Sequence, residues 1–431
     1  MAEKTALIFP GPGSHQPGLL EPFSRAGAKA RDDLAVIDKV AASYGWGPVS
    51  KGLTDTSART DTPELLWLGF YASSLALYHV ATEAGLRADV LVGHSGGEFT
   101  ALVVAGSLSV EDGARVLAER AEALRRSAPA AGAMLVLSAA ARRAEALCSA
   151  VADPSLALAV DNGPRQSVVS GHSGPIELLD RLARELGWRT TRLAMPFLMH
   201  NPVLAAATEE LLDAVSDVPV RAPKLPLHSP LLGRPVLSAA DARSVIAGHL
   251  VRPVVFGPAL EYLHRSGYGR FVECGARRIL TDLVLDGLPK GVEADTVLGW
   301  ASAAAEDPTI PASRGATVPE KPTGVPDAGA QTPPAPSAEA SGGQQAVLPE
   351  DDAQLLAELR RVYAEVLQYP EEVFEKDTDL EGDLGVSSIK QTEIFARLLD
   401  NYDLPTPSSD TRVSAHRTLG EISGLLRNLN T

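Results

Sequence analysis

Through the first 300 residues, short apolar runs alternate with stretches that repeat apolar residues every three or four positions. The run at 5–9 has the length of a buried strand and ends in the turn Pro10-Gly11-Pro12-Gly13-Ser14. Helical spacing follows over 24–44 and 65–84, the second ending near Gly85. A second apolar run at 90–92 stops at Gly93, and helical patterns resume over 98–104 and 110–126, with Glu111 and Asp112 in the first turn of the latter. The rhythm then changes: strand at 133–138, helix at 140–151, strands at 156–160 and 166–170 around Asn162-Gly163-Pro164, helix at 175–186, strand at 188–193. That β-α-β-β-α-β order is the ferredoxin-like plan, and it predicts a small subdomain over about 127–194 inserted in a larger α/β unit. The larger unit resumes at His200, with helices over 204–215 and 239–250 and a strand at 270–273 leading into Gly275.

Beyond residue 300 the pattern stops. Residues 301–350 hold 9 prolines, much Ala, Gly and Ser, and no aromatic, a composition that buries too little to fold alone and reads as a flexible linker. Helical spacing returns over 352–367, 388–400 and 418–429, with a short turn at 406–413, which predicts a small four-helix bundle over 351–431. This last segment carries 16 Asp and Glu against 8 Lys and Arg, over half of the whole chain's net charge of −15. The acidic balance argues against a nucleic-acid partner. No run approaches the roughly 18 apolar residues of a membrane span. Met1-Ala2-Glu3-Lys4 has no secretory pattern, so the expected location is the cytoplasm. Cys148 and Cys274 lie far apart, without metal-ligand spacing, and are expected as free thiols; no metal is expected.

The candidate chemistry centres on Gly93-His94-Ser95-Gly96-Gly97-Glu98. A serine between glycines at a strand-to-helix turn is the nucleophile-elbow arrangement. Ser95 would stand at a helix N-terminus, which favours negative charge developing on an attacked carbonyl oxygen. With 37 glycines in the chain a G-x-S-x-G can arise by chance, and an ordinary strand-to-helix turn remains the alternative. Among the 9 histidines, His94 is expected to point across the elbow, and His200, in Phe197-Leu198-Met199-His200-Asn201-Pro202, is the candidate base.

Over about residues 4–300 the sequence resembles the malonyl-CoA:acyl-carrier-protein transacylases and polyketide synthase acyltransferase domains. The resemblance rests on Phe9-Pro10-Gly11…Gly13-Ser14, the Ser95 motif, Arg120 in Ala118-Glu119-Arg120-Ala121, and Asn162…Pro164-Arg165-Gln166…Val169-Ser170-Gly171. It continues through His200-Asn201-Pro202, His249-Leu250-Val251-Arg252-Pro253-Val254 and Phe271-Val272-Glu273…Gly275. It implies an α/β-hydrolase-like acyltransferase core over 1–300, with Ser95 attacking a thioester and His200 acting as general base and then acid. It also implies a backbone carbonyl, mapped to His249, orienting His200; Gly96 contributing to the oxyanion hole; and Arg120 pairing with the carboxylate of a malonyl-type acyl group. Trp67, Met199 and Asn162 fall at acyl-pocket positions. Residues 351–429 resemble acyl carrier proteins through Asp383-Leu384-Gly385-Val386-Ser387-Ser388-Ile389, which implies 4'-phosphopantetheine on Ser388. Ser387 stands where that family usually has aspartate, and can still cap a helix. The implied partners are acyl-CoA, this carrier domain and separate ones, a phosphopantetheinyl transferase and polyketide synthase modules.

Three residues depart from the family pattern. Pro12 replaces a glutamine whose backbone N–H serves the oxyanion hole, and proline has no N–H; losing one such donor costs roughly 10²–10³ in rate. Gly11 or Gly13 could substitute, Gly96 could act with another donor, or the site is weakened. Trp67 replaces a pocket glutamine, and Phe197-Leu198-Met199-His200 is neither of the usual malonyl or methylmalonyl signatures. The expectation is an acyltransferase that passes a malonyl-type or unusual carboxylated acyl group to a carrier thiol. A hydrolase of the same fold that clears carriers and a degenerate docking module remain as rivals.

Overall fold

A computed structural model describes residues 4–12, 14, 27–54, 65–127, 132–193, 197–300, 349, 351–367, 371–378, 418–429 and scattered positions between 380 and 404. The chain divides into two compact units, Met1–Glu320 and Lys321–Thr431. The expected linker at 301–350 lies almost wholly outside the described residues, as does the turn at 406–413.

The first unit is built on a six-stranded sheet. Its centre is β1 (Lys4–Phe9), paired in parallel with β2 (Val90–Gly93) on one side and with β10 (Tyr268–Glu273) on the other. The full order is β11-β10-β1-β2-β7-β8, with β7 at Leu227–Ser229, β8 at Arg234–Pro235 and β11 at Glu293–Thr296. All pairs are parallel except β7 with β8. Parallel strands must be covered on both faces, which explains why β1 and β2 read as continuous apolar runs. The covering helices include α1 (Ala28–Ser43), α3 (Phe70–Glu83), α4 (Gly97–Val104) and α5 (Val110–Ser127); α2 (Val49–Thr54) is a short helix between α1 and α3.

The strands β7, β8 and β11 were not legible from the sequence. Each has two to four residues, too few for a period to register. The helical stretch at 65–84 also proves compound: Leu65–Gly69 is a π-helical turn that hands over to α3 at Phe70. Such turns recur at functional sites. Trp67, 2% exposed, lies within this one.

The inserted segment forms a second sheet. Its chain order is β3 (Gly132–Leu137), α6 (Ala141–Val151), β4 (Ala157–Gly163), β5 (Gln166–His172), α7 (Ser173–Glu185), β6 (Thr190–Arg192). The sheet order is β6-β3-β5-β4, antiparallel throughout, and β9 (Val254–Val255) from the larger unit adds in parallel to β4. Asn162 and Gly163, expected in the turn, lie in β4 instead. The two helices cover one face around Leu135, Val169, Ile176 and Leu179. Asn201, beyond the insertion, is tied back to it: its side-chain N–H donates to the carbonyls of Ser155 and Ser170 at 2.8 and 3.2 Å. The core of the larger unit closes with α8 (Ala205–Ala214), α9 (Ala239–Gly248), α10 (Phe256–Arg265) and α11 (Ile279–Gly287).

The second unit contains α12 (Asp352–Leu367) and α13 (Leu419–Leu429) around a core that includes Leu355, Leu359, Phe374, Phe395, Leu398 and Ile422. No helix among the described residues is long and apolar enough to cross a membrane.

Candidate active site

The site begins where β2 ends. Phe9 and Gly93 are register partners, and the His94 N–H donates to the Phe9 carbonyl at 2.9 Å, so the turn after β1 and the turn after β2 run side by side. Space there is minimal. A Cβ on Gly97 would collide with the Phe9 carbonyl, and one on Gly93 with the backbone of Glu98. Those two glycines are therefore required by close approach of backbone. Between them Ser95 adopts φ 51°, the left-handed region that non-glycine residues rarely occupy. Three hydrogen bonds continue directly into α4: Gly97 to His94, Glu98 to Ser95 and Phe99 to Gly96. Glu98 anchors that helix to β7, its buried carboxyl accepting from Ser229 Oγ and the Leu231 N–H at 2.8 and 2.9 Å. Burial pushes this carboxyl up to about 8, so it is largely protonated at neutral pH.

Ser95 Oγ lies 2.7 Å from His200 Nε2. His200 also has positive φ, 54°, and is 1% exposed. Its Nδ1 donates to the carbonyl of Arg252 at 3.1 Å. A carbonyl can only accept, so Nδ1 carries the proton and Nε2 is left to accept from Ser95. The Arg252 carbonyl thus joins the expected orienting group, the His249 backbone, which also favours the protonated ring. The reason is local. After α9 the N–H groups of Val251 and Arg252 both return to the Gly248 carbonyl, at 3.1 and 2.8 Å. That tight turn carries the chain past His249 before Pro253, and aims the carbonyl three residues further on.

Burial, then the charge of Arg120, lowers His200 to about 3. The ring is thus neutral and proton-accepting throughout the neutral range. The expected consequence is that kcat/KM for acylation of Ser95 shows no acid limb between pH 5 and 8, because a base is lost only below its own pKa. An acid limb near 6.5, in protein whose circular dichroism is unchanged, would contradict this placement of His200.

Arg120 projects from α5 and is 1% exposed. Arginine is almost never buried without a partner. Here no carboxylate among the described residues pairs with it. Its Nε donates to His249 Nδ1 at 3.1 Å, its Nη2 touches Met199 Sδ at 3.4 Å, and its Nη1 has no partner among the described residues. One face of the guanidinium is covered by the Trp67 ring, 4.8 Å from its centroid. Desolvation lowers its pKa to about 9. A buried cation with an open donor edge is a receptor for an anion.

Pro12 sits over Gly96: a Cβ on Gly96 would meet Pro12 Cδ at 2.9 Å and the Phe70 ring at 2.7 Å. Gly13 lies outside the described residues, and the Ser14 N–H is spent on the Gly11 carbonyl at 3.4 Å. Asn162 behaves differently from a residue that presents a free polar group to the acyl chain. Its Oδ1 accepts from His94 Nε2 at 2.8 Å, while its Nδ2 donates to Gln166 Oε1 at 2.6 Å. It thereby holds His94, whose ring meets Phe256 edge-on at 4.9 Å. Sequence reasoning missed the Arg252 carbonyl and the His249 side chain. The one available signal was the compressed segment His249-Leu250-Val251-Arg252-Pro253, where a proline stops the helix and forces a turn.

Ser387 and Ser388 lie outside the described residues. On either side, Val386 is non-helical and Gln391 is helical, with Gln391 Nε2 donating to the Val386 carbonyl at 3.0 Å. Among the described residues no cluster of His, Cys, Asp and Glu could hold a metal ion.

Comparison with known proteins places both units. Residues 6–311 match the acyl transferase domain, and residues 357–426 match the phosphopantetheine attachment site. The spectinabilin polyketide synthase system protein NorA' of Streptomyces orinoci is 33% identical over 301 residues, covering 68% of this chain and 8% of that protein. Erythronolide synthase EryA3 of Saccharopolyspora erythraea is 28% identical over 299 residues, covering 68% of this chain and 9% of that protein. The chain thus spans only a small fraction of the length of these relatives. Among solved structures, the malonyl-CoA:acyl carrier protein transacylase from Xanthomonas oryzae superposes with a TM-score of 0.65 at 27% identity, covering 71% of this chain and 99% of that one. The acyltransferase domain from module 8 of the salinomycin polyketide synthase gives 0.63 at 29% identity, covering 68% and 70%.

Proposed function

Because the chain belongs to the acyl transferase domain family and ends in a phosphopantetheine-attachment domain, we propose that it transfers a carboxylated, malonyl-type acyl group through an ester on Ser95 to a carrier thiol, in polyketide or related biosynthesis. The observation that carries this reading is the Ser95–His200 pair at 2.7 Å in the same site as a buried arginine that has no counter-ion among the described residues. His200 is itself coupled electrostatically to that arginine. We read the four-strand insertion as a ferredoxin-like subdomain, from its alternating antiparallel order, and residues 351–431 as a four-helix-bundle carrier.

The chemistry balances with the chain's own groups. The acyl thioester, from coenzyme A or a carrier, sits with its carboxylate on Arg120. His200 Nε2 takes the Ser95 proton as Oγ forms its bond to the carbonyl carbon. The Gly96 N–H, at the start of α4, supports the developing oxyanion. His200 then returns the proton to the departing thiolate, and the acyl group remains on Ser95. In the second half His200 deprotonates the incoming thiol and reprotonates Ser95 Oγ as the ester breaks. Phosphopantetheine, covalently attached to the carrier, supplies that thiol on a long arm. Its expected point of attachment is Ser388, with a phosphopantetheinyl transferase as the enzyme that installs it.

Two rivals make different products from the same site. A carrier-clearing hydrolase would release free acid and has no need of a buried guanidinium. A docking module would have no reason to keep a serine and a neutral histidine at hydrogen-bond distance. Intact-protein mass after incubation with acetyl-, malonyl- and methylmalonyl-CoA separates them. The expected result is a carboxylated acyl adduct that passes to holo carrier. Free acid without carrier loading supports the hydrolase, and no adduct on any variant supports the docking module. The attachment site has its own test: coexpressed with a phosphopantetheinyl transferase, Ser388→Ala should lack the pantetheine mass and Ser387→Ala should keep it. The reverse result moves the arm to Ser387.

A further inference from the structure

His249 is fully buried between the two halves of the site. Its ring lies 4.4 Å from Phe99 and 5.2 Å from His200, centroid to centroid. Its Nδ1 accepts from Arg120 Nε at 3.1 Å, so its proton is on Nε2, on the side facing the Ser95 backbone, where it makes no well-aligned hydrogen bond. A guanidinium offers a carboxylate two bidentate edges: the side edge of Nε with one Nη, and the end edge of both Nη atoms. Here the side edge is closed by His249. On the end edge Nη1 is unpartnered among the described residues and Nη2 meets only the Met199 thioether, a weak acceptor that a carboxylate displaces easily.

We infer that the His249 side chain is a positioning residue: by occupying Arg120 Nε it turns the end edge of the guanidinium towards the acyl pocket, so that the site takes acyl thioesters whose terminal carboxylate binds end-on, in the guanidinium plane and beneath Trp67. This rests on the reading of Arg120 as the carboxylate receptor. Burial and the neighbouring charge of Arg120 both disfavour protonation of His249, which keeps Nδ1 available as an acceptor. His249, with Trp67 and Met199, fixes which donors of Arg120 are spent before a ligand arrives, and fixing a charged partner before binding is how preorganised sites gain discrimination.

The test compares acylation kinetics with malonyl-CoA and acetyl-CoA for the full-length parent, His249→Leu and His249→Asn. Asn carries Oδ1 where the imidazole carries Nδ1 and can accept from Arg120 Nε; Leu fills the space but cannot. The expected result for His249→Leu is a rise in KM for malonyl-CoA of tenfold or more, a loss of kcat/KM at least tenfold greater toward malonyl-CoA than toward acetyl-CoA, and restoration of the parental ratio in His249→Asn. Should the leucine variant fail to fold, His249→Ala, which has no acceptor, replaces it in the same comparison. Equal losses with both donors, a change confined to kcat, or no rescue by Asn overturns the inference and leaves the function intact. A parent that does not favour malonyl-CoA or methylmalonyl-CoA over acetyl-CoA overturns the carboxylate reading itself, and this inference with it.

Discussion

Ser95→Ala protein should gain no acyl mass from any acyl-CoA, while its thermal unfolding should stay close to that of the parent. The chemical half follows from position. Oγ of residue 95 lies at 2.7 Å from a neutral imidazole whose other nitrogen is tied to a carbonyl. Without that oxygen no ester can form, and loss of a nucleophile of this kind lowers turnover by roughly 10⁴–10⁶. The structural half follows from the elbow. Ser95 holds φ 51° through its backbone, and its side chain contributes one hydrogen bond, to His200. Alanine meets the same left-handed strain as serine, so the change in stability is the net value of that one bond, about 1 kcal/mol. Mass spectrometry of the intact protein and of a peptide spanning 90–104 reads the result. Acyl loading at the parental rate in the alanine protein would move the nucleophile elsewhere.

Arg120→Ala should separate acyl groups by charge. On the proposed reading malonyl-CoA and methylmalonyl-CoA would lose the bidentate partner of their carboxylate, and truncating one side of a desolvated charge pair costs about 2–5 kcal/mol. That corresponds to about 30-fold up to several thousandfold in kcat/KM. Acetyl-CoA has no carboxylate to strand and should lose much less; the space left under Trp67 even favours it relative to the parent. Because no carboxylate among the described residues pairs with Arg120, the substitution leaves no buried counter-charge behind. It leaves His249 Nδ1 without its donor, a penalty of about 1–3 kcal/mol in stability that a melting curve can measure separately. The observation that sinks the assignment is an equal loss for malonyl and acetyl donors, which makes Arg120 a packing residue.

The sequence carries local information, and its successes are local. Val90–Gly93 was visible as a strand, because a parallel strand covered on both faces must be apolar at every position. The glycines around Ser95 were visible, because backbone comes too close there for any side chain. The helix at Asp352–Leu367 was visible in its 3.6-residue period. Residue types at motif spacing, read through a family resemblance, were enough to nominate Ser95, His200 and Arg120. What joins these three is separated by up to 105 residues along the chain, and distances of that kind exist only after the sheet has closed and the insertion has returned through Asn201.

The carbonyl that orients His200 illustrates the limit. Every residue has a carbonyl, so no side-chain code announces that Arg252 joins the His249 backbone beside this ring; that follows from how tightly the chain turns after Gly248. Asn162 reads as a pocket residue by motif, yet β4 extends through it and places its amide against His94. The side chain of His249 gave no sign of its partner, since a buried imidazole is equally plausible beside a core phenylalanine or a guanidinium, and here it meets both. Sequence determined which groups are present and which local turns they favour. Tertiary structure decided which edge of Arg120 remains open, because that depends on three neighbours, Trp67, Met199 and His249, brought from three separate elements into one buried space from which water is excluded.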